Sequence, residues 1–255
     1  MDLLSVVILG VIEGISEFLP ISSTGHMILA SHLMKLQQTE FLKSFEIAIQ
    51  LGAILSVVVL YGQRLFVDSK ILKRVAAAFL PTAVVGFFLY KIIKHIFFNN
   101  TAVILWSLLL GGIVLIVFEL LHRESDRSTD NLSSITYSQA ILIGIFQSIA
   151  VVPGVSRAAA TIIGGMLLGL KRKTIVEFSF LLAVPTMGAA VALDLLKSAG
   201  SFTADHFLFL AVGFVVSFIV AILSIKFLLM FIQKNNFILF GIYRIVLALS
   251  LMWLL

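Results

Sequence analysis

GVIEGISEFLPISSTGHMILA, residues 10–30, decides how the rest of the chain is read. It begins as an apolar helix that carries two carboxylates, Glu13 and Glu17. It breaks at Pro20 into a hydroxyl-rich turn, Ser22-Ser23-Thr24-Gly25, and resumes as an apolar helix at His26. Proline lacks a backbone donor and clashes with the preceding turn, so it ends or kinks a helix. The surrounding chain is 60% hydrophobic and only 12% charged, with mean hydropathy +1.14 over 255 residues. Soluble domains carry about 25% charged residues, so this composition reads as an all-α polytopic membrane protein. In such a protein, polar groups inside an apolar stretch must face protein or water, and they default to a functional reading.

The same composition excludes several classes. The first apolar run is not read as a cleavable signal, because it lacks a basic leader and holds two acids at its centre. The longest polar stretch runs only from His122 to Thr136, which leaves no soluble domain of useful size. Absence of cysteine excludes disulfides, thiol nucleophiles and thiolate metal sites. The net charge of +5 reflects basic loops beside anionic lipid head groups; nothing supports a nucleic-acid partner.

A shift of 134 residues lays Gly10 on Gly144, Glu13 on Gln147, Ser22 on Ser156 and Ser23 on Arg157. The second copy reads GIFQSIAVVPGVSRAAATIIGG: again helix, proline break, small-residue turn, helix. With a one-residue slip, Phe45 matches Phe178, each beside a glutamate, Glu46 and Glu177. Chance alignment of apolar sequence is the alternative, but matched breaks and polar positions favour duplication. Residues 1–137 form the first repeat and 138–255 the second, within a single membrane domain.

Segment lengths set the topology. A span needs about 20 apolar residues. The arms around the second break, Ser138–Val152 and Ser156–Leu170, would each reach about 22 Å, and the arm His26–Lys35 is shorter still. These read as two re-entrant helical hairpins whose broken tips are buried in protein. Six transmembrane helices remain, at 44–62, 75–93, 102–121, 174–196, 207–232 and 237–255. Each half is one hairpin plus three spans, so the second half sits inverted. Loops 63–74, 122–137, 171–173 and 233–236 hold ten Lys and Arg against five on the opposite side. Positive charge favours the cytoplasmic side, so hairpin one enters from outside, hairpin two from the cytoplasm, and the tips meet midway.

The tips carry the chemistry. Glu13 and Glu17 are four apart on one helical face. Two carboxylates in low dielectric resist joint ionisation unless a cation joins them, and their oxygens suit Mg²⁺ or Ca²⁺ together with water and phosphate oxygens. Alternatively one acts as a general base, or the pair is merely hydrogen-bonded to its neighbours. The turn Ser22-Ser23-Thr24-Gly25 opens a helix and offers an anion site; the plainer reading is N-capping, and the two can coexist. His26 is a candidate nucleophile or proton donor, weighed against a hydrogen-bonded packing residue. On the second tip Arg157 presents a fork suited to phosphate, or a salt bridge to Glu13 or Glu17 that only locks the tips. Acids lie on one copy and the arginine on the other, which together make a parts list for phosphoryl transfer. Arg244 and Lys226 read as snorkelling or structurally paired. Glu46, Gln50 and Glu177 read as cavity lining or support for the tips.

At these residues the chain resembles the undecaprenyl-diphosphate phosphatases of the bacitracin-resistance type, over essentially its whole length. The family's acidic motif, Glu or Gln, three residues, then Glu, matches Glu13 to Glu17 and runs on into PISSTGH. Its PGxSRSxxT motif matches Pro153, Gly154, Ser156, Arg157 and Thr161, with Ala158 in place of the second serine. The resemblance implies hydrolysis of undecaprenyl diphosphate to the monophosphate and inorganic phosphate, recycling the lipid carrier for peptidoglycan. It also implies bacitracin tolerance and a divalent cation (Mg²⁺ or Ca²⁺). The site it implies lies in the bacterial cytoplasmic (inner) membrane, open to the outer, periplasmic face. By residue, it makes Glu17 the base or metal-linked carboxylate, Glu13 its metal-binding partner and Arg157 the diphosphate clamp. Ser23 is the first choice of nucleophile and His26 the second. Ser22, Thr24, Gly25, Gly154, Ser156 and Thr161 join Arg157 around the diphosphate. Partners are the bilayer substrate and membrane lipid, with a second copy of the chain as a candidate.

Inverted repeats and broken helices also mark secondary carriers, so a polyprenyl-phosphate flippase using the same tips is the alternative. A carrier does not require a nucleophile beside two carboxylates.

Overall fold

The structure, a computed structural model, describes residues 1–37, 39–92, 100–124, 128–198 and 206–254. These residues form eleven α-helices and no strand. In chain order they are α1 (Leu3–Ser16), α2 (Ser23–Leu33), α3 (Glu40–Ala48), α4 (Gln50–Val67), α5 (Ser69–Ile92) and α6 (Thr101–Leu121). They continue as α7 (Tyr137–Ser148), α8 (Arg157–Leu167), α9 (Arg172–Ser198), α10 (His206–Phe231) and α11 (Ile238–Leu254).

Among the described residues, five segments are long and apolar enough to cross a membrane: Glu40–Val67, Ser69–Leu89, Thr101–Leu121, Arg172–Asp194 and His206–Phe231. The chain is a multi-pass membrane protein. The first of these is α3 and α4 in line, so the segment expected at 44–62 is 28 residues long. The sixth expected span, 237–255, falls on α11, whose 17 residues reach about 25 Å. Helices α1, α2, α7 and α8 hold 14, 11, 12 and 11 residues, each too short to cross alone.

The stretch 63–74, expected as a loop, is almost all helix: α4 runs to Val67 and α5 starts at Ser69. Only Asp68 interrupts it. Its carboxylate accepts from the N–H groups of Lys70 (2.9 Å) and Ile71 (3.3 Å) and from Ser133 Oγ (2.8 Å). The Ser133 hydroxyl foremost, then those N–H groups, hold the Asp68 carboxyl below the usual aspartate range. This contribution to stability is present above the ordinary aspartate pKa and is lost as pH falls through the lowered one. The basic residues that looked like loop lie on helical turns, because a polar residue at a helix end satisfies the same pattern as a short loop. Lys94 and Arg127, which enter the charge count, lie outside the described residues.

Helix α1 packs on α10 and α2, α7 packs on α5 and α8, α6 on α11, and α4 on α9 and α10. The main core joins α4, α8, α9 and α10 around Phe178, Phe180, Leu181 and Ile225. Phe18, at the start of the first break, meets Phe180 edge to face at 5.3 Å between ring centroids. That contact anchors the first tip on α9. Helix α7 comes close to α5 because residue 144 is glycine: a Cβ there would lie 2.1 Å from the Ala78 carbonyl oxygen.

Candidate active site

Both tips are built on an unusual serine. Ser22 has φ 75° and Ser156 has φ 42°; with Lys35 they are the non-glycine residues of positive φ among those described. Left-handed backbone costs a non-glycine residue about 1–2 kcal/mol. Serine offsets part of that cost by capping. Ser22 Oγ accepts from the Gly25 N–H (3.4 Å) and opens α2 at Ser23; Ser156 Oγ accepts from the Ala159 N–H (3.2 Å) and opens α8 at Arg157. Gly154, between Pro153 and Ser156, has φ 92°, and a Cβ on it would meet the Ile104 carbonyl oxygen at 2.7 Å. Only glycine suits that position.

Glu17 joins the tips. Ser23 Oγ donates to its Oε2 at 2.5 Å, and Arg157 Nη2 lies 3.3 Å from its Oε1. The two charged side chains are only 5% and 11% exposed. Removing one partner from such a pair costs about 3–5 kcal/mol, because it strands the other charge. Arg157 Nη1 donates to the Ser179 carbonyl (2.8 Å) and to Ser179 Oγ (3.3 Å), while its Nε has no partner among the described residues. One turn before Glu17, Glu13 is fully buried and neither of its oxygens has a hydrogen-bond partner among the described residues.

The remaining expected residues divide. Ser22 and Ser156 serve as caps, Gly25 packs on Leu108, and Thr24 is half-buried at the opening of α2. Thr161 is buried one turn into α8, with its hydroxyl on the Arg157 and Ala158 carbonyls (both 3.0 Å) and on Ser179 Oγ (2.6 Å). It steadies the arginine's helix. His26 is held apart from the Glu17–Arg157 pair: Nδ1 faces the Ser22 carbonyl and Nε2 the Tyr243 hydroxyl, both at 2.7 Å. Ala158 is 1% exposed within the apolar core, where a hydroxyl would be buried.

Glu177 does not support the tips. It pairs with Arg64 at 2.9 Å, and together they line two surface cavities of about 250 and 520 Å³ beside the α4–α5 turn. Glu46 accepts from Ser31 Oγ at 2.6 Å. Arg244 does not snorkel and, among the described residues, pairs with no carboxylate; the residue is 1% exposed and its guanidinium is bonded to backbone carbonyls. Lys226 is exposed and lines the smaller cavity.

Sequence reasoning missed Ser179, Tyr243 and the reach of Arg244. Ser179 sits where Glu46 falls under the Phe45–Phe178 match, and that alignment was its only signal. Among the described residues no group of three or more His, Asp or Glu is placed to hold a metal ion. Glu13 and Glu17 remain the candidate pair, and the two orphaned oxygens of Glu13 fit a cation that completes its shell with phosphate and water oxygens.

An acidic, hydroxylated tip ion-paired to a cationic one fits the motifs read above. The sequence profile described as Bacitracin resistance protein BacA matches residues 6–250. The chain belongs to the BacA family. Its relatives include the undecaprenyl-diphosphatase of Aquifex aeolicus (strain VF5), 53% identical over 243 residues, which are 95% of this chain and 94% of that protein. An undecaprenyl-diphosphatase of Persephonella marina is 49% identical over 248 residues, 97% of each chain. One from Wolinella succinogenes is 48% identical over 248 residues, covering 97% and 96%. The BacA match covers both tips and every helix that positions them.

Proposed function

We propose that this BacA protein hydrolyses undecaprenyl diphosphate to undecaprenyl phosphate and inorganic phosphate, using the two tips as one active site. The observation that carries the site is the Glu17 carboxylate, bound by Ser23 from its own tip and by Arg157 from the other. The hydrolase names of the relatives carry the substrate. They give the flippase alternative no support.

In the reaction read here, Ser23 Oγ attacks the terminal phosphorus while its proton passes to Glu17. The bond from that phosphorus to the bridging oxygen breaks, and undecaprenyl phosphate leaves. Water then hydrolyses the phosphoserine and releases inorganic phosphate. Arg157 neutralises charge on the transferring group with the side of its fork not spent on Ser179. Ser23 is preferred over His26 because Ser23 touches the base, whereas both His26 nitrogens are engaged by Ser22 and Tyr243. Glu13 and Glu17 would hold a Mg²⁺ or Ca²⁺ ion, which would supply charge neutralisation at the phosphates.

The membrane arrangement we propose is six spans and two re-entrant hairpins in an inverted repeat. Its hydrolytic site opens to the outer face of the bacterial cytoplasmic membrane. Support comes from the offset of 134 residues between the starts of α1 and α7, between those of α2 and α8, and between the two capping serines. The pairings agree, since α1 on α10 corresponds to α7 on α5. Bacitracin tolerance follows from competition for the same lipid.

The test is phosphate release from undecaprenyl diphosphate by purified protein in detergent, where nothing can be transported. Release is expected, with a chelator suppressing it. Ser23→Ala is expected to lower kcat by about 1,000-fold while substrate still binds. A nearly normal rate in Ser23→Ala would return the nucleophile to His26 or water, and intact substrate with the wild type would end the hydrolytic reading.

A further inference from the structure

Arg244 of α11 is the largest fully buried side chain among the described residues. Its guanidinium donates to four backbone carbonyls and, among the described residues, to no carboxylate. Nη1 reaches Pro20 (3.3 Å), Nη2 reaches Gly154 (2.9 Å) and Ser107 (2.9 Å), and Nε reaches Leu108 (3.3 Å). Ser107 and Leu108 lie in α6, whereas Pro20 and Gly154 lie in the two tips, outside any helix. Pro20 and Gly154 are separated by 134 residues, the offset that also relates Ser22 to Ser156. One side chain thus grips the equivalent point of both broken hairpins.

The neighbourhood is shaped to receive it. A Cβ on Gly111 would lie 2.1 Å from Arg244 Nη2 and 2.7 Å from its Cζ, so the missing side chain is the notch in which the guanidinium sits. A buried cation without a counter-ion is expensive, and apolar packing would join helices more cheaply. A planar fork adds what packing lacks: direction. It fixes several acceptors relative to one another, which the single nitrogen of lysine cannot do. Pro20 is three residues from both Glu17 and Ser23, and Gly154 is three residues from Arg157. The carbonyls that Arg244 holds are therefore the near anchors of the groups that meet across the tips. Its neighbour Tyr243 adds a second hold on the first tip through His26.

We propose that Arg244, seated in the notch at Gly111, is the tie that sets the spacing of the two tips and hence the Glu17–Arg157 contact. It is a positioning residue for hydrolysis. This rests on the reading of the tips as the hydrolytic site. A displacement of about 1 Å between reacting groups lowers rate by about 100-fold, and a tie of this kind controls that distance.

The experiment compares Arg244→Lys, Gly111→Ala, the double variant and Glu17→Gln, each purified in detergent, monodisperse and assayed on undecaprenyl diphosphate. Arg244→Lys keeps the charge and loses the fork, so kcat is expected to fall about 100-fold with KM changed less than about threefold. Gly111→Ala touches no tip residue and favours its own helix, yet its Cβ displaces the guanidinium; kcat is expected to fall about 10-fold. The double variant is expected to be no worse than Arg244→Lys, because the lysine nitrogen carries no fork for the Cβ to displace. Wild-type kcat in folded Arg244→Lys and Gly111→Ala, alongside an inactive Glu17→Gln, overturns the tie and leaves the site reading intact. Full activity in Glu17→Gln overturns the site reading instead. If neither Arg244→Lys nor Gly111→Ala yields folded protein, the residue is architectural and the positioning role is lost.

Discussion

At residues 22 and 156 the chain makes the same turn twice, and then puts it to different use. Each tip has a serine of positive φ that caps the helix after it, and each presents a polar side chain at the next position. On the first tip that side chain is the Ser23 hydroxyl, aimed at Glu17; on the second it is the Arg157 guanidinium, aimed at the same carboxylate. One turn before each break lies a buried residue of equal size. Gln147 is tied by its Nε2 to Thr82 (2.8 Å) and Thr186 (3.1 Å), whereas neither oxygen of Glu13 has a hydrogen-bond partner among the described residues. The backbone is shared scaffold and the chemistry is divided. An amide anchored through its nitrogen, with only its oxygen left over, and a carboxylate anchored by neither oxygen mark where structure ends and function begins.

The largest expected effect breaks the comparison at its centre. Glu17→Gln keeps the shape and can still bond to Ser23 and Arg157, but it cannot take a proton. Phosphate release is expected to fall about 1,000-fold, and thermal unfolding to become easier by about 3 kcal/mol, because the buried Arg157 charge loses its counter-ion. Next come the two residues before the breaks. Gln147→Glu places an acid where two threonine hydroxyls now receive an amide, and is expected to cost about 3 kcal/mol in thermal unfolding. Glu13→Gln runs the other way: it is expected to stabilise the fold by about 1 kcal/mol while weakening response to divalent cation. Equal effects from both swaps would mean that the two positions are not specialised. The smallest effect sharpens the shared part. Ser156→Gly relieves the positive φ but removes the cap, so unfolding is expected to move by only a few tenths of a kcal/mol.

Much of this was legible because membranes restrict the alternatives. Composition announces helices, and a proline beside carboxylates and hydroxyls in an apolar run announces a site, so Glu13, Glu17, Ser23 and Arg157 stand out without coordinates. The pairing of Arg157 with Glu17 was one of several contacts left open, since periodicity places a residue on a face but names no partner. Arg244 illustrates the limit. Near the middle of an apolar helix it read as a charge that snorkels or pairs structurally with no partner named, because its partners are carbonyls, and every residue has one. His26 shows another limit: an imidazole beside a hydroxyl turn is chemically plausible in sequence, and only Tyr243, 217 residues away, reveals that its second nitrogen is hydrogen-bonded. Glu177, read as cavity lining or support for the tips, turns to Arg64 instead.

The proposed hydrolysis requires the two tips to act as a single unit through Glu17 and Arg157. A double-mutant cycle on kcat, with Glu17→Gln, Arg157→Lys and the two combined, is the decisive test. Groups that work as one unit lose their effect together, so the double variant is expected to be no slower than Glu17→Gln alone. Losses that simply multiply would contradict it, and would mean that the tips contribute to hydrolysis independently.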